Sequence, residues 1–148
     1  MAKHNCEDYS IEKVSTKRAP YWFVLSGLPN VYLDGVKYTV CQKCKMQAAE
    51  LPCLTKLLRA IAIAVADSPK PLTGREIRYL RTSLMQSSRD FAAVVGVTPD
   101  QVSRWEKNRN RPEPSADKLI RMLARYGIPE IKPRTSDKIV INVRGLKS

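Results

Sequence analysis

The sequence SRDFAAVVGVTPDQVSRWEK, residues 88–107, is the most informative part of the chain about its fold. Ala92 is small, and Gly96 follows four residues later, where a tight turn needs a positive φ that glycine adopts without strain. Val102 and Trp105 then lie three residues apart, which places both on one face of a second helix. The spacing predicts two short helices joined by a tight turn, with one face of the second helix left outside.

The second helix has its own start signal. Thr98 and Gln101 form a Thr-x-x-Gln capping box, and Pro99 fits the first helical turn because it lacks a backbone N–H. With Val102 and Trp105 facing inward, polar side chains occupy the outer face. This pattern is typical of a helix-turn-helix, whose second helix enters the major groove of DNA. The competing interpretation is an ordinary helical hairpin in a globular core.

Arg104 is the outer residue best suited to read a base, because its paired donors match guanine O6 and N7. Asp100 or Gln101 would meet a neighbouring base. The alternative for Arg104 is an ion pair with Asp100 four residues earlier, which specifies no sequence. Flanking residues are expected to contact phosphates, although a solvated surface is the competing interpretation for each. The expected DNA-contacting residues are Ser88, Arg89, Thr98, Asp100, Gln101, Ser103, Arg104, Lys107, Asn108 and Arg109.

Composition agrees with a polyanionic partner. Lysine and arginine total 26 against 14 acidic residues, a net charge of +12, and nucleic acid is the commonest partner of such a chain. No apolar run reaches the length of a membrane span, and MAKHNCEDYS lacks a signal-peptide core, so a cytoplasmic protein without a membrane partner is expected. No catalytic arrangement can be drawn around the single histidine, so no enzyme activity is expected.

The first half of the chain has a different character. The stretch YWFVLSGLPNVYLDGVKYTV, from Tyr21, is rich in aromatic and β-branched residues and predicts a small, mostly antiparallel sheet. Its first three residues, Tyr21, Trp22 and Phe23, are expected in the core. Asp34 and Gly35 stand between VYL and VKYTV and predict a hairpin with a type I′ turn.

Helical patterns follow this sheet. Leucines and β-branched residues at helical spacing predict a helix over residues 54–66, and capping patterns predict at least four more between 73 and 127. Thr73 and Ser87 are the expected N-caps of the first two of these. Ser115 is the expected N-cap of the last, which Gly127 ends. The inward residues expected on that last helix are Leu119, Ile120, Met122, Leu123 and Tyr126.

These elements predict an α+β protein of two modules. A small zinc-ribbon-like β domain with a helix occupies residues 1–67, and an all-α helix-turn-helix domain occupies residues 73–131. Residues 68–72 form the linker, because two prolines prevent one helix from running through. Residues 132–148 form a basic tail in which alternating apolar residues indicate a possible strand.

Cysteines in the first half indicate a metal site. Cys41-x-x-Cys44 after a strand is half of a zinc knuckle, because two thiolates at that spacing bind one ion. Cys6 and His4 are the expected further ligands of one zinc per chain, with Cys53 as another candidate. A sheet this small has little core, which favours a metal staple. The alternative is that the cysteines are buried thiols.

Two resemblances bear on function. Residues 73–127, with the continuation SRWEKNRNRPEPS, resemble the Xre/Cro type of helix-turn-helix. The N-terminal half, with SGLPNVYLDGV and the Cys41-x-x-Cys44 pair, resembles the zinc-finger half of MqsA-type (YgiT-type) antitoxins, although the family usually carries two such pairs. The resemblance implies a zinc-binding, toxin-binding N-terminal domain and a dimeric C-terminal domain. It also implies an autorepressor that binds double-stranded operator DNA, with Arg104 as the base-contacting arginine.

Two classes of function follow. The first is a repressor that is also the antitoxin of a type II toxin-antitoxin pair. The second is a stand-alone regulator from a phage or mobile element, whose N-terminal domain binds metal or another protein. An RNA-binding zinc-ribbon protein is a third interpretation, and the groove-reading helix argues against it.

Overall fold

The structure is a computed structural model that describes residues 9–51, 53–130 and 144. Among the described residues, small β-sheets precede five helices, which agrees with the predicted α+β class. The strands are β1 (Ser10–Val14), β2 (Tyr21–Trp22), β3 (Tyr32–Leu33), β4 (Lys37–Cys41) and β5 (Gln47–Glu50). The helices are α1 (Leu54–Asp67), α2 (Gly74–Ser83), α3 (Ser88–Val95), α4 (Pro99–Glu106) and α5 (Pro114–Tyr126), with a short 3-10 helix at Val24–Ser26.

All strand pairs are antiparallel, but the predicted hairpin at Asp34-Gly35 is wrong. β3 pairs with β2, whereas β4 lies between β1 and β5 in a separate three-stranded sheet. Gly35 has a φ of 75°, whereas Asp34 keeps a negative φ, so no type I′ turn forms. Ser15 explains the difference. This buried residue donates its N–H to the Val36 carbonyl and accepts from the Val36 N–H through its hydroxyl, and a β3–β4 hairpin would need both of these Val36 groups.

The main core lies between the helices and the β2–β3 hairpin. Phe23 is buried in it as predicted, and Tyr21 packs against it, but Trp22 is half exposed because its side chain points away on the two-residue strand. The three-stranded sheet contributes none of the buried residues of this core, and every residue of β1 is exposed. The sheet therefore has little apolar burial of its own among the described residues.

Helix α1 packs into the same core as the helices that follow the linker. Its buried residues are Ile61, Ala62, Val65 and Ala66, and they join the cluster formed by α2 to α5. Tyr79 of α2 donates a hydrogen bond to the Leu58 carbonyl at 2.9 Å. The predicted boundary at residue 67 thus separates α1 from the helices against which it packs.

The linker itself is held by α5. Arg121 donates to the carbonyls of Ala66, Ser68 and Lys70, the last at 2.6 Å, and pairs with Asp117 at 2.5 Å. Leu72 is buried at the end of this segment. The two prolines interrupt the helix as predicted, but the resulting segment is fixed to the helical core.

The predicted caps are confirmed for three helices and wrong for α5. Thr73, Ser87 and Thr98 cap α2, α3 and α4 through their side chains. Helix α5 instead begins after Glu113 with Pro114 at its first position and no side-chain cap, because proline supplies a pre-set φ without an unpaired N–H. Gly127 ends α5 as predicted, with φ 84°.

The inward face of α5 is narrower than predicted. Ile120, Leu123 and Ala124 are buried, and Leu119 is partly buried. Met122 and Tyr126 are 58% and 76% exposed, because they lie beside the stripe that meets α1 and α2. The expected strand after residue 138 lies outside the described residues, apart from Arg144. Within the described part of the chain, none of the helices has both the length and the apolar character that crossing a membrane requires.

Candidate DNA-binding surface

The helix-turn-helix is built around the close approach of α3 and α4. Phe91 and Ala92 of α3 and Val102 and Trp105 of α4 are buried in the shared core. Gly96 ends α3 in the left-handed conformation, φ 83°, and its N–H donates to the Ala92 carbonyl at 2.9 Å. The predicted small residue, turn glycine and two apolar anchors therefore all occupy the expected places.

Helix α4 begins with a complete capping box. The Thr98 hydroxyl accepts from the Gln101 N–H at 3.3 Å, and the Gln101 side chain accepts from the Thr98 N–H at 3.1 Å. Both side chains remain exposed, but these bonds already engage their polar atoms. Their first role is thus to fix the start of the helix, since a cap satisfies N–H groups that otherwise lack partners.

Arg104 and Asp100 lie on the outer face of α4 and form an ion pair. The Arg104 Nε is 2.9 Å from Asp100 Oδ2, and the two side chains are 56% and 69% exposed. The pairing that the sequence offered as an alternative for Arg104 is therefore present in the structure. Ser103, between them, is partly buried.

The remaining predicted contacts lie at the two ends of the motif. Ser88 and Arg89 form the first turn of α3, where N–H groups and the helix dipole favour an anion. Lys107 and Arg109 are exposed just after α4. The structure brings these basic side chains to the same helix-turn-helix unit as Arg104, an arrangement suited to phosphate oxygens on either side of a groove.

The Asn108 side chain makes a hydrogen bond that its position in the sequence did not predict. It adopts a left-handed conformation, φ 55°, and its Oδ1 accepts from the Gly74 N–H at 2.8 Å. A Cβ on Gly74 would lie 2.4 Å from the Glu106 carbonyl oxygen. The start of α2 thus rests directly on the end of α4, and asparagine is one of the few residues that tolerate this backbone conformation.

An ion pair that sequence reasoning missed joins α2 to α4. Arg81 Nε is 2.6 Å from Glu106 Oε1, with the side chains only 11% and 13% exposed, and Arg81 also donates to the Gln86 carbonyl at 2.8 Å. An acidic residue in the last turn of a helix opposes the helix dipole, so Glu106 was a signal that a cationic partner is near. The pair fixes α4 relative to α2 and to the loop before α3.

The cysteine pair lies on a tight turn at the end of β4. Cys41 is buried and Cys44 exposed; the Lys45 N–H donates to the Cys41 carbonyl at 2.8 Å, and Lys45 has a φ of 61°. The Tyr9 carbonyl accepts a hydrogen bond from the Gln42 N–H at 2.9 Å, so the chain three residues after Cys6 runs beside this turn. Such a turn suits two thiolate ligands of one ion.

Only one of the other expected ligands is among the described residues. His4 and Cys6 lie outside the described residues, and Cys53 is exposed at the start of α1. Among residues 9–51 and 53–130, no three histidine, cysteine or acidic side chains come together as a metal site. The turn after β4 thus offers two thiols, those of Cys41 and Cys44, for a metal.

Comparison with known proteins identifies the helical part. A family model described as helix-turn-helix matches residues 77–131, which span α2 to α5. No curated protein and no solved structure matches the chain. The match supports the Xre-type assignment of this part, and the family is one of DNA-binding regulators. Residues 77–131 are thus similar to a helix-turn-helix family whose members are sequence-specific, DNA-binding transcription regulators.

Proposed function

We propose that the chain is a transcriptional repressor that binds operator DNA as a homodimer, with α4 in the major groove. The observation that carries the proposal is the division of α4 into two faces. Val102 and Trp105 are fixed in the core, and Arg104 is held on the exposed face of the same short helix. A rigid helix with an outward arginine is the arrangement that reads guanine in this class of motif.

The charge distribution supports the same proposal. Ser88 and Arg89 precede the turn, and Lys107 and Arg109 follow α4, so cationic and N–H donors border the reading face on both sides. Asp100 is the exception, because its carboxylate repels phosphate. Twofold dimers of such domains bind half-sites about 34–36 Å apart, so an inverted repeat is the expected operator.

Selection from a random duplex library tests this function. The full chain is expected to enrich an inverted repeat containing guanine, to recognise a matching sequence in its own promoter, and to lose affinity steeply as salt rises. A pool that stays random after repeated rounds, with equal affinity for all duplexes, would show that the motif does not read sequence.

We propose further that the N-terminal half binds a toxin, which would make the chain an antitoxin. Besides the sequence resemblance, the β2–β3 hairpin supports a protein contact. Trp22 and Tyr32 face each other across the hairpin and are about half exposed, while Val24 and Leu25 follow in the 3-10 helix at 54% and 80%. Exposed aromatic and aliphatic side chains grouped in this way are typical of protein interfaces.

Co-purification from the native host tests the antitoxin role. The chain is expected to retain a small partner protein, and Leu25→Asp is expected to release it without unfolding the chain, since Leu25 is exposed. Met122→Asp, at an exposed position of α5, is the matched control and should retain the partner. Recovery of the chain without a partner would instead favour the stand-alone regulator.

Zinc belongs to the same proposal. Cys41 and Cys44 would be two of its ligands, with Cys6 and either His4 or Cys53 completing the set. A bound zinc ion would crosslink a sheet whose strand β1 is fully exposed. Elemental analysis should find about one zinc per chain, and Cys44→Ser should remove it and lower the melting temperature of the sheet. Metal-free protein with an unchanged melting curve would contradict the assignment.

A further inference from the structure

We infer that Asp100 is a positioning residue for base reading: it holds Arg104 through Nε and leaves both terminal amino groups of the guanidinium to guanine. The inference rests on the proposed function. Its basis is the 2.9 Å contact between Asp100 Oδ2 and Arg104 Nε, one helical turn apart on the outer face of α4.

The chemistry of the guanidinium group explains the division. Arginine has five N–H donors in a planar fork, of which one is on Nε and four are on the terminal nitrogens. A carboxylate at Nε therefore leaves both terminal groups free to donate to guanine O6 and N7. The same contact restrains the long side chain before DNA arrives, so less rotational freedom is lost on binding.

Asp100 is available for this role because α4 does not need it as a cap. Thr98 and Gln101 close the capping box by themselves. Asp100 follows Pro99 in the first turn, where the positive end of the helix dipole stabilises a carboxylate. The aspartate thus lies one turn before the arginine at a position where the cap does not use its side chain.

The Asp100–Arg104 pair also increases the preference for operator DNA over other DNA. Where Arg104 meets guanine, the oriented fork strengthens binding. Where no guanine is offered, the Asp100 carboxylate remains close to phosphates and opposes binding. Removal of Asp100 is therefore expected to change the ratio of specific to non-specific affinity by a larger factor than it changes either affinity. An aspartate that merely neutralised Arg104 would weaken both affinities together.

The test compares full-length variants on the duplex that the wild type selects and on a scrambled duplex. Asp100→Ala is expected to bind the selected duplex about fivefold more weakly and the scrambled duplex about twofold more tightly. Asp100→Asn, which keeps an acceptor for Nε, should restore part of the preference. Glu12→Ala, which removes one exposed negative charge from β1, should leave the ratio unchanged.

A double-mutant cycle isolates the contact. If Asp100 acts through Arg104, Asp100→Ala should have no further effect on the ratio in an Arg104→Ala background. An Asp100→Ala variant that keeps the wild-type preference, or an effect that persists without Arg104, would overturn the inference alone. A wild type that selects no sequence would overturn the proposed function as well. Circular dichroism and melting of each variant exclude unfolding as the cause.

Discussion

Gly74 shows how one residue positions the reading helix. An added Cβ would lie 2.4 Å from the Glu106 carbonyl oxygen and 2.5 Å from that of Trp105, and both contacts are to backbone that cannot turn aside. Gly74→Ala is therefore expected to destabilise the fold by about 1–3 kcal/mol, although alanine is normally favoured over glycine in a helix. Urea unfolding measures the change. Arg75→Ala, at the next and exposed position, is the control, and equal stability of the two variants would contradict the close approach.

Residues whose role is local were predictable, and residues whose role depends on a distant neighbour were not. Gly96, Thr98 and Gln101 act within one turn of their own positions, so their spacing was sufficient. Asn108 accepts a hydrogen bond from Gly74, 34 residues away, whereas the polar sequence around Asn108 indicated only a surface residue. The Asp100–Arg104 pair was recognised as an alternative, because residues four apart on a helix are neighbours.

At the scale of elements, α1 and α5 are joined by arginines that satisfy carbonyl groups near the helix ends. Arg121 donates to three carbonyls at the end of α1 and in the linker, and its pair with Asp117 is only about one-fifth exposed. Arg121→Ala is expected to cost about 2–3 kcal/mol, since it leaves Asp117 and these carbonyls without a cation. Arg125→Ala, which removes an exposed pair with Asp67, should have a much smaller effect in the same urea unfolding measurement. Equal losses would show that the linker is not held by Arg121.

Tyr79 provides a pH-dependent contact between α2 and α1. Burial raises the pKa of Tyr79 above its ordinary value, and its hydroxyl donates to Leu58. A raised pKa in an acidic group means that the neutral form is favoured in the folded state. The stability from this contact is thus complete below the ordinary tyrosine pKa of about 10 and is lost as pH rises through the raised value. Tyr79→Phe has no hydroxyl to ionise, so its free energy of unfolding should fall less than that of the wild type as the pH becomes alkaline. An identical alkaline profile for wild type and variant would contradict the assignment.

Element types were predicted better than element partners. The helices of the second half have strong caps and periodic apolar residues, which act locally. The pairing of β3 with β2 was missed, because Asp34-Gly35 is a good local turn signal and the competing bonds of Ser15 come from about 20 residues away. Periodicity also showed that α1 has an apolar face without showing which helices cover it.

For the whole molecule, the helical folding unit is expected to include α1. Removal of α1 would expose the faces of α2 and α5 that now cover Ile61 and Val65, and each such side chain contributes about 1.5–3 kcal/mol when fully buried. A fragment of residues 54–130 should therefore unfold cooperatively and bind DNA, whereas residues 73–130 alone should melt at a lower temperature. Equal melting temperatures, measured by circular dichroism, would show that the linker is a true domain boundary.

The order of the two halves along the chain followed from composition, but their packing did not. A basic helical half after a strand-rich, cysteine-bearing half was visible in the sequence. The shared core of α1, the β2–β3 hairpin and the later helices depends on contacts between residues far apart, which no local pattern encodes. A partner bound at the hairpin would consequently contact an element of the same core that supports α4.

The affinity of Arg104→Ala for operator and scrambled DNA shows whether α4 reads bases through Arg104. We expect this variant to lose about 1–3 kcal/mol on the selected duplex and little on the scrambled one. Arg89→Ala, the control that removes an expected phosphate contact in α3, should weaken both to a similar extent. An Arg104→Ala variant that still prefers the selected duplex as strongly as the wild type would contradict the claim.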